Sequence, residues 1–100
     1  MKAIQLDNAG ARKVNIENTL EAMQSTVGGF IESVTLIPGV CAMLVNEEGL
    51  LLSMKPNILA SHLARQRIVG PAIVVGVNGD EFTDVPHEIE RHILIRYRTT

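Results

Sequence analysis

Hydrophobic and polar positions along the chain switch between a period of two and a period near four, and each switch marks an element. The central stretch Val40–Asn57 carries the clearest signal. An apolar run, Val40-Cys41-Ala42-Met43-Leu44-Val45, stops at Asn46-Glu47-Glu48-Gly49; Leu50-Leu51-Leu52 follows at once, and Lys55-Pro56-Asn57 closes the stretch. Two apolar runs around a polar, glycine-closed turn predict a β-hairpin, with Val40–Val45 answered by Leu50–Ser53. Pro56 has no N–H to give a ladder, so the second strand ends there. Asn57 suits the cap of a short helix over Ile58–Ala64, where Leu59 and Leu63 are spaced by four.

The remaining elements follow from the same patterns. Lys2–Leu6 alternates weakly, Asp7-Asn8-Ala9-Gly10 is a turn, and Arg12–Glu17 sets Val14 and Ile16 on one face; together they predict a first hairpin. Asn18 and Glu21 have the spacing of a capping box, Leu20, Met23 and Val27 repeat at helical spacing, and Gly28-Gly29 stops the run. A helix over Thr19–Val27 results. Phe30–Leu36 is rich in β-branched residues and reads as a strand, turned by Pro38-Gly39. Ala72–Val77 is a buried strand closed by Asn78-Gly79. Pro86 opens a last helix to Tyr97, with Ile89 and Ile93 on one face. The fold class is α+β: a single domain over residues 1–100, with a largely antiparallel sheet and two or three helices packed on one side.

Composition narrows the picture. The chain is 46% hydrophobic with three aromatic residues, Phe30, Phe82 and Tyr97, and no Trp, so the core is aliphatic. The formal charge is −2 and the isoelectric point about 5.9. Neither a basic face nor stacking aromatics are present, which disfavours nucleic acid as a partner. A single cysteine, Cys41, excludes an intrachain disulfide and fits a reducing compartment. The first residues lack the apolar segment of a secretion signal, and no apolar run nears the roughly 20 residues of a membrane span. A cytoplasmic protein is expected.

In their order, Asn18–Glu32, Asn46-Glu47-Glu48-Gly49, Lys55-Pro56-Asn57, Gly70–Gly76 (GPAIVVG) and Asp80-Glu81-Phe82 carry a likeness over nearly the whole chain. On these residues the chain resembles the domain-of-unknown-function family three-eight-four-six. The resemblance implies a bacteriophage or prophage origin and expression in a bacterial host cytoplasm. It brings no established activity. Where such proteins continue with polar or basic residues after Pro56-Asn57, this chain has Ile58-Leu59-Ala60.

The candidate chemistry is polar rather than catalytic. Asn46, Glu47 and Glu48, with Asn57 near if the hairpin folds back, can hold ribose hydroxyls or base edges; the same residues also suit a solvated turn. Lys55, Arg65 and Arg67 can engage a phosphate beside the helix that Asn57 caps, or can be ordinary surface charges. Glu32 is expected to face solvent from its strand. His87, Glu88 and His92 lack a metal-binding spacing, so no metal or other cofactor is expected. Ser53, Ser61, His62 and Cys41 sit in no nucleophile elbow. The expected function is therefore a non-catalytic phage accessory protein that binds a small ligand, one form of which is sequestration of a nucleotide-derived bacterial immune signal. A homo-oligomer, preferably a dimer, is expected, since a small domain has little room for a deep pocket of its own. Two alternatives stand beside it. One is an inhibitor or adaptor of a host protein, steered by the acidic stretch Asp80–Glu90. The other is a small enzyme using Glu32 or Glu48 as a base.

Overall fold

In the computed structural model, which describes residues 1–97, β1 (Lys2–Asp7) and β2 (Gly10–Asn15) form the first hairpin, followed by α1 (Leu20–Val27). Next come β3 (Ile31–Ile37), β4 (Cys41–Asn46) and α2 (Ile58–Ala64), then β5 (Ala72–Asn78), β6 (Glu81–Thr83) and α3 (His87–Tyr97). The strands make one antiparallel sheet in the order β2-β1-β5-β4-β3, with β6 also paired to β5. The α+β class, the antiparallel sheet and the three helices agree with the sequence pattern.

β5 is the hub. It pairs with β4 along one side, from Cys41↔Gly76 to Val45↔Ala72. On its other side β1 takes Ala72 to Val74 and β6 takes Gly76 to Asn78, end to end. The joint is tied by the Lys2 N–H donating to Asp84 Oδ1 at 2.7 Å and the Val85 N–H donating to the Lys2 carbonyl at 2.8 Å. Gly76 makes room for this joint, because a Cβ there would collide with the Asp84 carbonyl.

β4 is buried throughout and β5 over its first five residues. Alternate residues therefore feed two cores. Met43, Val45, Ala72 and Val74 join Ile4, Leu6, Ala60 and Ile93 on one face, with Leu59, Leu63 and Ile89 packed against them. Leu44, Ile73 and Val75 join Met23 and Val27 on the other. So α2 and α3 cover one face and α1 the opposite one. Of the two or three helices expected on one side, two lie there, and α1 takes the other face because strands apolar at every position bury both faces and need a cover on each.

Two local expectations also change. Leu50–Ser53 is not a strand. Residues 47–53 form a tight coil in which the Leu52 N–H donates to the Glu48 carbonyl (2.9 Å) and Met54 to Gly49 (3.0 Å). The reason lies in the sheet: β4 already has β3 on one side and β5 on the other, so no edge is open to a returning strand. At α1 the cap is Thr19 rather than Asn18; its side chain accepts from the Ala22 N–H at 3.1 Å, while Asn18 donates to the Phe82 carbonyl. Gly28 ends the helix in the left-handed region at φ 84°.

Candidate functional site

The two asparagines singled out by sequence are interior connectors. Asn46 is 5% exposed at the end of β4. Its Nδ2 donates to the Val27 carbonyl at 3.2 Å, and its Oδ1 accepts from the Glu48 N–H at 2.7 Å. Asn57 is 3% exposed. Its Nδ2 donates to the carbonyls of Leu6 and Gly70 at 2.8 and 2.9 Å, while its Oδ1 caps α2 through the Ala60 N–H at 3.1 Å. Buried amides are expected to be paired in this way, and this pairing leaves neither side chain aimed at a ligand.

The start of α2 is likewise occupied. Asn8 Oδ1 accepts from the Ile58 N–H at 2.9 Å, and Asn8 Nδ2 donates to the Pro56 carbonyl at 2.9 Å. The donors expected to meet a phosphate are thus used within the chain. Lys55 and Asn57 border a depression of about 280 Å³ with Asp7, Asn8, Met54 and Pro71. Arg65 is exposed in the left-handed position that ends α2, at φ 55°. Glu48 is exposed in the turn after β4. The three basic residues do not line a common depression.

What the fold does bring together is a subset of the expected residues, Asn46, Glu47 and Arg67, with the Asn46 amide already paired within the chain. Glu47 and Arg67, from separate loops, line one open groove of about 420 Å³ with Glu32, Gln66, Leu50 and Leu51. Val34, Val45, Ile68 and Val69 supply its apolar wall. The groove forms because a bridge between Pro56 and Val69 brings the segment after α2 back beside residues 47–53. Gly49 allows the approach, since a Cβ there would meet Val69. Among the described residues, Glu32, Glu47 and Arg67 have no ion-pair partner, so their charges are free for a ligand. Glu32 faces solvent, as the cost of burying a lone carboxylate leads one to expect. Gln66 was missed in the sequence, where nothing distinguishes it from an ordinary surface amide.

A larger cleft, about 510 Å³, lies between β1, β2 and the start of α3, lined by Lys2, Lys13, Asn15, Asp84, His87 and Glu90. Its charges answer one another. Glu90 Oε2 lies 3.5 Å from Lys13 Nζ and 3.6 Å from His87 Nδ1. The acids of this cleft, Glu90 and Asp84, are thus engaged within the fold. Glu88 and His92 are both exposed and make no ion pair with each other. No group of three or more metal-ligating side chains occurs among the described residues.

The nucleophile candidates serve the fold. Ser61 Oγ donates to the Asn57 carbonyl at 2.7 Å and accepts from the Ile68 N–H at 2.8 Å. His62 is hydrogen-bonded to the Tyr97 hydroxyl, joining α2 to α3. Cys41 is buried, and burial pushes its thiol above the usual range. No described helix is long and apolar enough to cross a membrane.

A family model described as a domain of unknown function (DUF3846) matches residues 1–98. Comparison with curated proteins gave no match, and neither did comparison with solved structures.

Proposed function

The chain belongs to the DUF3846 family, and we propose that it is a non-catalytic binding protein whose groove between residues 47–51 and 66–69 holds a small, nucleotide-like ligand. One observation carries this reading: Glu32, Glu47 and Arg67 converge on a single groove, and among the described residues none of them has an ion-pair partner. The Arg67 guanidinium and the Gln66 amide supply donors for a phosphate or a base edge. Glu32 and Glu47 supply acceptors for ribose hydroxyls. Leu50 and Leu51, 66% and 82% exposed, offer an apolar surface to a base. A groove of this volume is within the usual range for small-molecule sites. The groups that bind are exposed, while Ser61, His62 and Cys41 are held in separate structural contacts, so binding is favoured over chemistry.

The biological setting we propose is that of a phage or prophage accessory protein, acting in the bacterial cytoplasm as a homo-oligomer and sequestering a nucleotide-derived immune signal. The family resemblance is what supports the phage setting. A second reading is an inhibitor or adaptor of a host protein. It is favoured by the apolar tip Leu50-Leu51-Leu52, more than half exposed at each position, and by Asp80 and Glu81, exposed at the β5–β6 turn.

Native mass spectrometry of protein purified from phage-infected, defence-active bacteria distinguishes the two. The ligand reading expects a stoichiometric small molecule that denaturation releases with a nucleotide absorbance. A clean unliganded species overturns it and directs attention to a host protein, sought by pull-down.

A further inference from the structure

Among the described residues three strands have a single partner, β2, β3 and the three-residue β6, and the two longer edges differ. β2 carries Arg12 and Lys13, with Lys13 paired to Glu90 of α3. Charge and a neighbouring helix are the usual protections of an edge. β3 has neither Lys nor Pro within it, and Glu32, Ser33 and Thr35 are exposed. Apolar residues stand open at both of its ends: Phe30 at 61%, and Ile37 and Val40 at 44% and 38%.

The register shows which backbone groups this edge offers. The Glu47 N–H donates to the Phe30 carbonyl at 2.8 Å. Hydrogen-bonded pairs alternate along an antiparallel ladder, so Glu32 and Val34 turn their backbone groups toward Val45 and Met43, their partners in β4. The N–H and C=O groups of Ile31, Ser33 and Thr35 then point away from the sheet. A register shift between Thr35 and Ile37 ends the regular edge. The free segment is therefore residues 31–35, with Ser33 at its centre.

We infer that two copies of the chain pair through this edge, antiparallel, about a two-fold axis at Ser33. The pairing sets Ser33 against Ser33 of the second copy and Ile31 against its Thr35, so every outward backbone group on residues 31, 33 and 35 gains a partner. Glu32 falls opposite Val34 of the second copy, which avoids the like-charge contact that a direct Glu32 pair would impose. Phe30 is carried toward the end of the second copy's β3, where Leu36 and Ile37 lie. The apolar residues at the two ends are thus matched by the symmetry itself. Paired about this axis, the open apolar residue at one end of the edge, Phe30, meets the open apolar end of the second copy at Ile37, which fits a second copy better than an unrelated strand.

The pairing also bears on the groove. Glu32 and Val34 line it from β3, so the second copy's β3 adds Val34 beside Glu32 and extends the wall of the groove across the axis. This consequence rests on the binding reading above; the pairing itself does not.

The test is sedimentation of the full chain and of the variants Ser33→Lys and Ser33→Glu, each checked for folding by thermal melting, with any released nucleotide measured on the same samples. Ser33 is exposed, so either side chain is accommodated in a monomer. The wild type is expected to be a dimer, and each variant alone to dimerise at least ~10-fold more weakly through like charges at the axis. An equimolar mixture of the two variants is expected to recover the dimer, because only a residue that faces itself gives this pattern. A monomeric wild type, unweakened variants, or a mixture that stays monomeric overturns the pairing. A monomer that still carries nucleotide overturns the dimer and leaves the groove reading standing. A dimer that obeys the charge pattern and carries none upholds the pairing and overturns the ligand.

Discussion

Asn57 Nδ2 lies 2.8 Å from the Leu6 carbonyl oxygen, joining the cap of α2 to the end of β1 across 51 residues of sequence. The same amide reaches Gly70 and caps the Ala60 N–H. One buried side chain thus fixes where a helix starts, where the first strand ends and how the segment before β5 enters the sheet.

Replacing Asn57 by Ala leaves two carbonyls and one N–H without their partner. A loss of about 2–4 kcal/mol is expected, from an emptied cap and buried groups left unpaired. Asn57→Asp retains the cap but not the two donors, and should also be destabilised. Urea unfolding of the three proteins gives the order wild type, then Asp, then Ala or near equality of the two variants. Wild-type stability in Asn57→Ala would contradict the connector role.

Gly76→Ala tests the joint where β1 and β6 meet beside β5. The added Cβ collides with backbone at Asp84 and with Thr83 Oγ1. Overpacking of this kind costs about 1–3 kcal/mol. Amide exchange should reveal the damage first at Lys2 and Val85, whose hydrogen bonds close the joint.

Cys41 is inaccessible, and its thiol is held protonated by burial. Reaction with a thiol reagent is expected to be slow in the native protein and to become fast in urea. Cys41→Ser buries a hydroxyl in an aliphatic setting, with a destabilisation of about 1–3 kcal/mol by urea unfolding. Rapid native modification would show the β3–β4 hairpin opening without global unfolding.

Asp7 and Arg12 form an ion pair at 2.8 Å across the first turn. The hydrogen bond from Arg12 holds the Asp7 carboxyl below its ordinary range. The contribution of the pair is therefore complete above the unfolded value of about 3.9 and is lost as pH falls through the lower folded value. Both side chains are more than a third exposed, so screening limits the effect to about 1 kcal/mol or less. Asp7→Asn should match the acid-limit stability of the wild type and fall below it only at higher pH. Unfolding midpoints from pH 2 to 7 make the comparison.

Arg67→Ala and Glu47→Ala separate binding from folding. Both residues are exposed, so each change should alter stability by no more than about 0.5 kcal/mol. Each should weaken binding of the nucleotide released from the wild type by about tenfold or more, through loss of a charged hydrogen bond. Calorimetric titration beside thermal melting reads both. Unchanged affinity in both variants would remove the groove as the site.

Much of the fold was legible in the period of the sequence. Alternation at Val14 and Ile16 identified β2, the Gly28-Gly29 pair marked the end of α1, and Asn57 marked the start of α2. The unbroken runs in β4 and β5 held more than was drawn from them. A strand apolar at every position is covered on both faces, and that is why α1 lies opposite α2 and α3. Leu50-Leu51-Leu52 misled because periodicity cannot tell whether a neighbouring strand already holds the edge. The candidate site was legible in part. Glu47 and Arg67 meet in one groove, but Asn46 and Asn57 turn inward. A polar residue beside a turn has the same sequence signature whether its amide meets a ligand or a distant carbonyl. Glu32 was noted as a surface acid, and only the pairing of β3 with β4 set it at the rim.

The place of β5 at the centre of the sheet has a consequence for biosynthesis. The β1–β2 and β3–β4 hairpins leave the ribosome first, each able to close locally. They cannot be joined into one sheet until Ala72–Asn78 has been translated, because among the described strands only that one pairs with both. Through that interval each nascent hairpin shows an unpaired inner edge and an uncovered apolar face, the state most exposed to aggregation and to chaperones. Emergence of the fifth strand from the exit tunnel is the event that commits the chain to its native topology.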